Sequence, residues 1–223
     1  MYWRIAGSRF VLRRVADDQF SIDVESPASA QALAAAILAT DGWLDVVPGI
    51  NSVVVQFDAA ARAPGDVQHT LADMLDGDIA ELEPGSALLE IPVLYGGDAG
   101  PDLDNVCAEL GLSTDEFVAL HTQGVYIVDM LGFTPGFAFI GGLDNRLRVA
   151  RRDTPRECVP AGSIGIADSR SGLYALASPG GWQIVGRTPQ TCFDVNARQP
   201  SLLQAAMRVR FRAISQQEFD AWR

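Results

Sequence analysis

The 223 residues carry 17 arginines and no lysine against 28 acidic residues, for a formal net charge of −11, and 48% of them are apolar. That length and composition suit a globular chain with one large core or two smaller ones, and exclude wholesale disorder. The missing lysine excludes a Schiff-base lysine and the lysine of a Walker A phosphate loop.

No apolar run approaches the roughly 20 residues of a membrane-spanning helix. Met1-Tyr2-Trp3-Arg4-Ile5 lacks the long apolar segment of a signal peptide, so a cytoplasmic protein without membrane contact is expected. Cys107, Cys158 and Cys192 are odd in number, far apart and without CxxC spacing, which fits reduced thiols and no metal site. Charge is unevenly spread. Residues 1–130 hold 5 Arg and 21 acids, whereas residues 131–223 hold 12 Arg and 7 acids. This asymmetry suggests two functional surfaces, and the modest positive excess is too weak a footprint for nucleic acid.

In chain order, Arg9–Arg14 and Gln19–Val24 read as strands around Asp17-Asp18, with Phe20, Ile22 and Val24 alternating with polar residues. Ser26-Pro27 supplies an N-cap and a first-turn proline for an alanine-rich helix to about Ala39. Trp43–Val47 and Ser52–Phe57 form a strand pair around Pro48-Gly49. A second helix spans about 65–76, and Ala87–Leu94 is a further strand. This ββαββαβ order predicts an α+β N-terminal lobe over residues 1–88, with helices on one face of an open sheet. His69 on the second helix is expected at the surface.

Beyond the loop Tyr95–Leu103, two short helices are expected at about 102–110 and 114–122, the second opened by the capping-box pair Ser113 and Glu116. Val125–Leu131 then leads into a stretch dense in glycine and proline, Gly132 to Pro189, which predicts strands joined by tight turns. Met207–Ile214 is expected as the closing strand and 215–222 as a short helix. Residues 89–223 therefore read as a β-barrel domain.

Arg151, Arg152 and Arg156 crowd this region, and guanidinium forks can grip carboxylate or phosphate. They also flank Asp153 and Glu157, so structural ion pairs are the competing reading. His121 shares a helix face with Phe117 and is either a general acid–base or a hydrogen-bonded histidine at a helix end. Ser163 lacks the GxSxG elbow and reads as a turn serine that faces a ligand. Tyr174 and Trp182 are pocket-wall or core aromatics, and Phe133 and Phe137 flank a Pro-Gly turn that lines a groove or packs the core. Residues alone thus predict a two-lobed protein with an arginine-lined β pocket.

Gly132-Phe133-Thr134-Pro135-Gly136-Phe137, Thr154–Ser163 and Ser178–Pro189 resemble the allophanate hydrolase subunit 1 family. That family includes the sporulation-kinase inhibitor KipI and the B subunit of bacterial 5-oxoprolinase. Ile91-Pro92-Val93, Tyr95-Gly96-Gly97, Gly100–Leu103 and Leu120-His121 are similar to it too. The resemblance implies a cyclophilin-like, mainly antiparallel β-barrel after the α+β lobe. It implies an allophanate hydrolase subunit 2-type partner, a third subunit, and ATP-driven opening of 5-oxo-L-proline, with ATP at or with the partner subunits.

Under that reading, His121 and Arg156 are the expected catalytic residues. Arg151, Arg152, Ser163, Tyr174, Arg187 and Phe133 are the expected substrate-binding ones. Alternatives are inhibition of a sensor histidine kinase, or carboxyl transfer to urea or a related amide, which would need biotin. Asp168-Ser169-Arg170-Ser171-Gly172 replaces the Gly-Gly-Gln-Thr-Gly loop common in the family, Ala175 stands where a proline follows the tyrosine, and Ala150 stands where a proline usually precedes the paired arginines. The changed loop is expected to add charge and bulk at the pocket rim.

Overall fold

The computed structural model describes the backbone of residues 2–4 and all of residues 10–77 and 87–222. The chain divides into two compact units, Met1–Glu83 and Pro84–Arg223.

The first unit contains β1 (Tyr2–Arg4), β2 (Val11–Ala16), β3 (Gln19–Asp23), α1 (Pro27–Leu38), β4 (Asp45–Pro48), β5 (Ser52–Gln56) and α2 (Pro64–Leu75). Its antiparallel sheet has the order β1-β2-β3-β5-β4. Alternation decides which side is covered: Leu12, Phe20, Ile22, Val53 and Val55 point one way and are buried. Ala30, Leu33 and Ile37 of α1 and Val67 and Leu71 of α2 complete that core. Ser26 caps α1 by accepting from the Ser29 amide, ahead of Pro27 in the first turn. His69 is exposed. The strand expected from Arg9 begins at Val11; Arg9 itself lies outside the described residues.

The second unit contains β6 (Leu88–Tyr95), α3 (Leu103–Leu110), α4 (Thr114–Gln123), β7 (Tyr126–Leu131), β8 (Ala138–Gly141), β9 (Arg156–Val159), β10 (Ser163–Ala167), β11 (Arg170–Leu173), β12 (Ser178–Gly180), β13 (Gln183–Arg187), β14 (Arg208–Ala213) and α5 (Gln216–Ala221). Seven strands close a barrel in the order β10-β11-β8-β7-β14-β6-β13. Among the described residues only β6 and β14 run parallel, so the α+β lobe and the closed, mainly antiparallel barrel expected from the sequence are both present.

Two assignments change. The strand expected at 87–94 as the last element of the first lobe is β6, and it pairs with β13 and β14 of the barrel. The first sheet gains instead β1, which pairs with β2. An apolar strand with Ile91 and Val93 can fill either core, and its partners lie about 90 and 120 residues further along. The capping box of Ser113 and Glu116 opens α4 as expected.

Candidate functional site

α4 turns one face inward, and Phe117 and His121, one turn apart, are both completely buried. The His121 ring stacks on Phe211 with centroids 4.4 Å apart. Its Nδ1 lies 2.6 Å from the Tyr95 hydroxyl and its Nε2 2.7 Å from Ser171 Oγ. Burial pushes the His121 pKa down to about 3 and the Tyr95 pKa well up. The imidazole is therefore neutral at pH 7, with one ring nitrogen donating and the other accepting. His121 bridges α4, β6 and β11 inside the barrel, and the structure does not bring it to the arginines.

Those arginines gather around a residue that the sequence did not single out. Asp102, 2% exposed, lies just ahead of α3. Its carboxylate accepts from Arg152 Nη1 at 2.8 Å, from Arg156 Nη1 at 2.8 Å and Nη2 at 2.7 Å, and from the Ile184 amide at 2.7 Å. The Asp102 amide in turn donates to the Ile184 carbonyl. One buried carboxylate thus ties α3 to β13 and to the segment around β9, and its hydrogen bonds raise the Arg156 pKa. Asp153 and Glu157, the neighbours in sequence, are exposed and pair with none of these arginines.

Beside this cluster opens a cavity of about 390 Å³ lined by Phe133, Phe137, Phe139, Tyr174, Trp182 and three glycine and proline positions of β12 and its flank, with Arg151 and Arg152. Phe137 joins the aromatic wall together, edge-on to Phe139, Tyr174 and Trp182 at 4.8–5.8 Å. Glycines make that packing possible: a Cβ on Gly180 would overlap the Tyr174 hydroxyl, and one on Gly172 would lie 2.7 Å from Trp182. Arg151 is exposed, extends over the Trp182 ring at 5.9 Å and has no ion pair among the described residues. At the lip, Phe133 holds φ at 72° and is 66% exposed. A non-glycine residue in that region is strained, and here the strain keeps an aromatic ring in solvent beside a cavity.

Of the residues expected to bind substrate, the structure brings Arg151, Arg152, Tyr174 and Phe133 to this cavity. Arg156 does not line it, and both its terminal nitrogens are committed to Asp102. Ser163 is buried in β10 opposite Arg187. Arg187 donates through Nε to the Ala161 carbonyl and lines two other cavities, of about 310 and 430 Å³. The changed loop is a tight hairpin between β10 and β11. Asp168 sits at its corner with φ of 51°, and Arg170 pairs with Asp129 at 2.9 Å. Residues 168–171 do not line the aromatic cavity, so the charge expected at its rim is not placed there, and that of Arg170 is taken up by Asp129. Among the described residues there is no cluster of His, Cys, Asp and Glu able to hold a metal ion.

Residues 1–203 match the model of the carboxyltransferase domain, subdomain C and D. The chain belongs to that family. Among its relatives, the 5-oxoprolinase B subunit of Bacillus subtilis (strain 168) is 37% identical over 196 residues, which is 82% of this chain and 80% of that one. The corresponding B subunit of Escherichia coli O157:H7 is 42% identical over 168 residues, 75% of this chain and 77% of its own. The crystal structure of TTHA0988 superimposes with a TM-score of 0.75 at 34% identity, over 88% of this chain. This chain spans 40% of that longer one. The carboxyltransferase-domain match runs through both units, from the first sheet to the loop before β14.

Proposed function

We propose that this chain is the B subunit of an ATP-dependent 5-oxoprolinase, which opens the lactam of 5-oxo-L-proline to L-glutamate. The observation that carries this reading is the identity of 37–42%, over three quarters or more of the chain, to relatives named as the B subunit of 5-oxoprolinase. The aromatic cavity supports it, because a five-membered ring with one carboxylate matches apolar walls with guanidinium groups at the rim.

In this reading the chain works in the cytoplasm with a subunit 2-type partner and a third subunit, and is inactive without them. ATP is held at or with those partners and supplies a phosphoryl group to the amide oxygen. A first water then adds to the activated carbon and the ring carbon–nitrogen bond breaks with a proton delivered to nitrogen, leaving a γ-glutamyl phosphate. A second water hydrolyses this acyl phosphate to glutamate and inorganic phosphate. The residues of this chain position the ring and exclude water from its apolar face, which lowers the entropy cost of reaction.

The test is ATP hydrolysis by the natively copurified complex, with and without 5-oxo-L-proline. Stimulation with glutamate released in step with ADP is the expected result, and an intact complex that ignores the lactam overturns it. The name of the matched family favours one other reading, carboxyl transfer to an amide. That reading requires a biotin-bearing carrier and predicts incorporation of labelled bicarbonate in the same preparation.

A further inference from the structure

We infer that Arg151 and Arg152 form a receptor for a single carboxylate at the mouth of the aromatic cavity, and that Asp102 is the positioning residue that sets it. The inference rests on the proposed 5-oxoprolinase reading only for the identity of the ring that enters.

Two guanidinium groups hold the Asp102 carboxylate, and a third, that of Arg151, lines the same cavity as Arg152. Arg156 spends both terminal nitrogens on Asp102, so it serves as a counter-charge. Arg152 spends only Nη1, and its Nε is buried without a partner although the side chain lines the cavity. Arg151 spends nothing on an ion pair and lies against Trp182, whose ring walls the same cavity. The positive charge of Arg151 and Arg156 also reaches the Tyr174 hydroxyl, where it opposes the upward push of burial on that pKa. Among the described residues the Arg151 guanidinium therefore remains free of ion pairs beside a space bounded by rings, prolines and glycines, with Arg152 anchored at its edge.

The chemistry of the walls selects the ligand. A nucleotide needs polar partners for its base, sugar and several phosphate oxygens, and Phe133, Phe137 and Phe139 offer only ring surface and edge. A small ring bearing one carboxylate buries its apolar body and leaves one anionic fork for two guanidinium groups. Asp102 matters because an unanchored arginine must lose rotamer freedom on binding. Arg152 is instead already held from behind, as preorganised sites require.

The test is calorimetric titration of the full chain with cyclopentanecarboxylate, 5-oxo-L-proline and the uncharged 2-pyrrolidinone, followed by kinetics of the complex. Both carboxylates should bind at least tenfold more tightly than the neutral lactam. Arg151→Gln, a substitution of an exposed side chain, should weaken both carboxylates about tenfold and leave 2-pyrrolidinone unchanged. Arg152→Gln should do the same, and Asp102→Asn should weaken carboxylate binding in a chain whose thermal unfolding shows it to be folded. In the complex, Arg151→Gln should raise KM for 5-oxo-L-proline with little change in kcat.

Equal binding of charged and neutral ligands, no binding of any of them, indifference to Arg151→Gln, or displacement of cyclopentanecarboxylate by ATP overturns the inference. An active complex whose KM ignores Arg151→Gln sinks the receptor and leaves the oxoprolinase reading intact. Carboxylate binding that depends on Arg151, in a complex without lactam-opening activity, does the reverse.

Discussion

Asp102 and Arg156 form a two-pronged ion pair across 54 positions of sequence, with both terminal guanidinium nitrogens 2.7–2.8 Å from the carboxylate oxygens. The pair is nearly closed to solvent on the Asp102 side, and the same carboxylate holds Arg152 and the Ile184 amide. A charge so enclosed is stable only while its partners remain.

Asp102→Ala is expected to strand Arg152 and Arg156 and cost about 3 kcal/mol, the low end for breaking a buried pair. For a unit of this size that is a fall in Tm of roughly 10 °C. Arg156→Met should cost less, because Arg152 and the Ile184 amide still satisfy Asp102. Thermal unfolding of both variants checks the order, and equal losses would contradict it.

His121 makes stability depend on pH. Its folded pKa of about 3 lies below the unfolded value near 6.5, so the unfolded chain takes up a proton first. Stability is therefore complete above about pH 6.5 and falls as pH drops toward 3, by about 2 kcal/mol at pH 5 from this group alone. Denaturant titrations at pH 7 and pH 5 should show this loss. His121→Gln, which can still bond Tyr95 and Ser171, should be less stable at pH 7 yet show a smaller difference between the two pH values.

Gly180→Ala tests the packing of the cavity wall. The added methyl group overlaps the Tyr174 hydroxyl, which must move or push β12 outward. Overpacking of this kind costs about 1–3 kcal/mol. A shift in Trp182 fluorescence and weaker ligand binding should accompany the lower Tm, and an unchanged Tm would show that β12 yields freely.

Phe133→Gly should separate stability from function. Glycine relieves left-handed strain of about 1–2 kcal/mol at φ 72°, offset by its greater unfolded-state freedom. The exposed ring buries little, so the net effect is expected between neutral and about 1 kcal/mol more stable. Loss of the ring from the cavity lip should nonetheless raise KM in the complex. A clear loss of stability would show that the edge contact with Phe137 outweighs the strain.

Local signals in the sequence carried far because they are short-range. Ser113 and Glu116 cap α4, Ser26-Pro27 opens α1, and the alternation of Phe20 and Ile22 marks a sheet face, each within four residues. The Gly132–Phe137 turn and the Pro and Gly of Ser178–Trp182 were likewise legible as loop chemistry, and both border the cavity. Asp102 gave no such local signal beyond its place in the family-like run Gly100–Leu103. It is one acid among the 21 of residues 1–130, and its partners lie 50, 54 and 82 residues away.

Taken alone, the sequence determined that an α+β lobe precedes a barrel built on glycine and proline turns, and that arginine supplies its cationic chemistry. Backbone propensity, capping and alternation act over a few residues, so these features are written locally. Tertiary structure decided which arginines remain available. Arg156 and Arg187 look like Arg151 in sequence, yet burial beside Asp102 commits Arg156, and β13 carries Arg187 to other cavities. It also turned His121 from a candidate acid–base into a neutral bridge within the barrel. A titratable group takes its character from desolvation and from the charges around it, and both exist only once distant strands have closed the barrel.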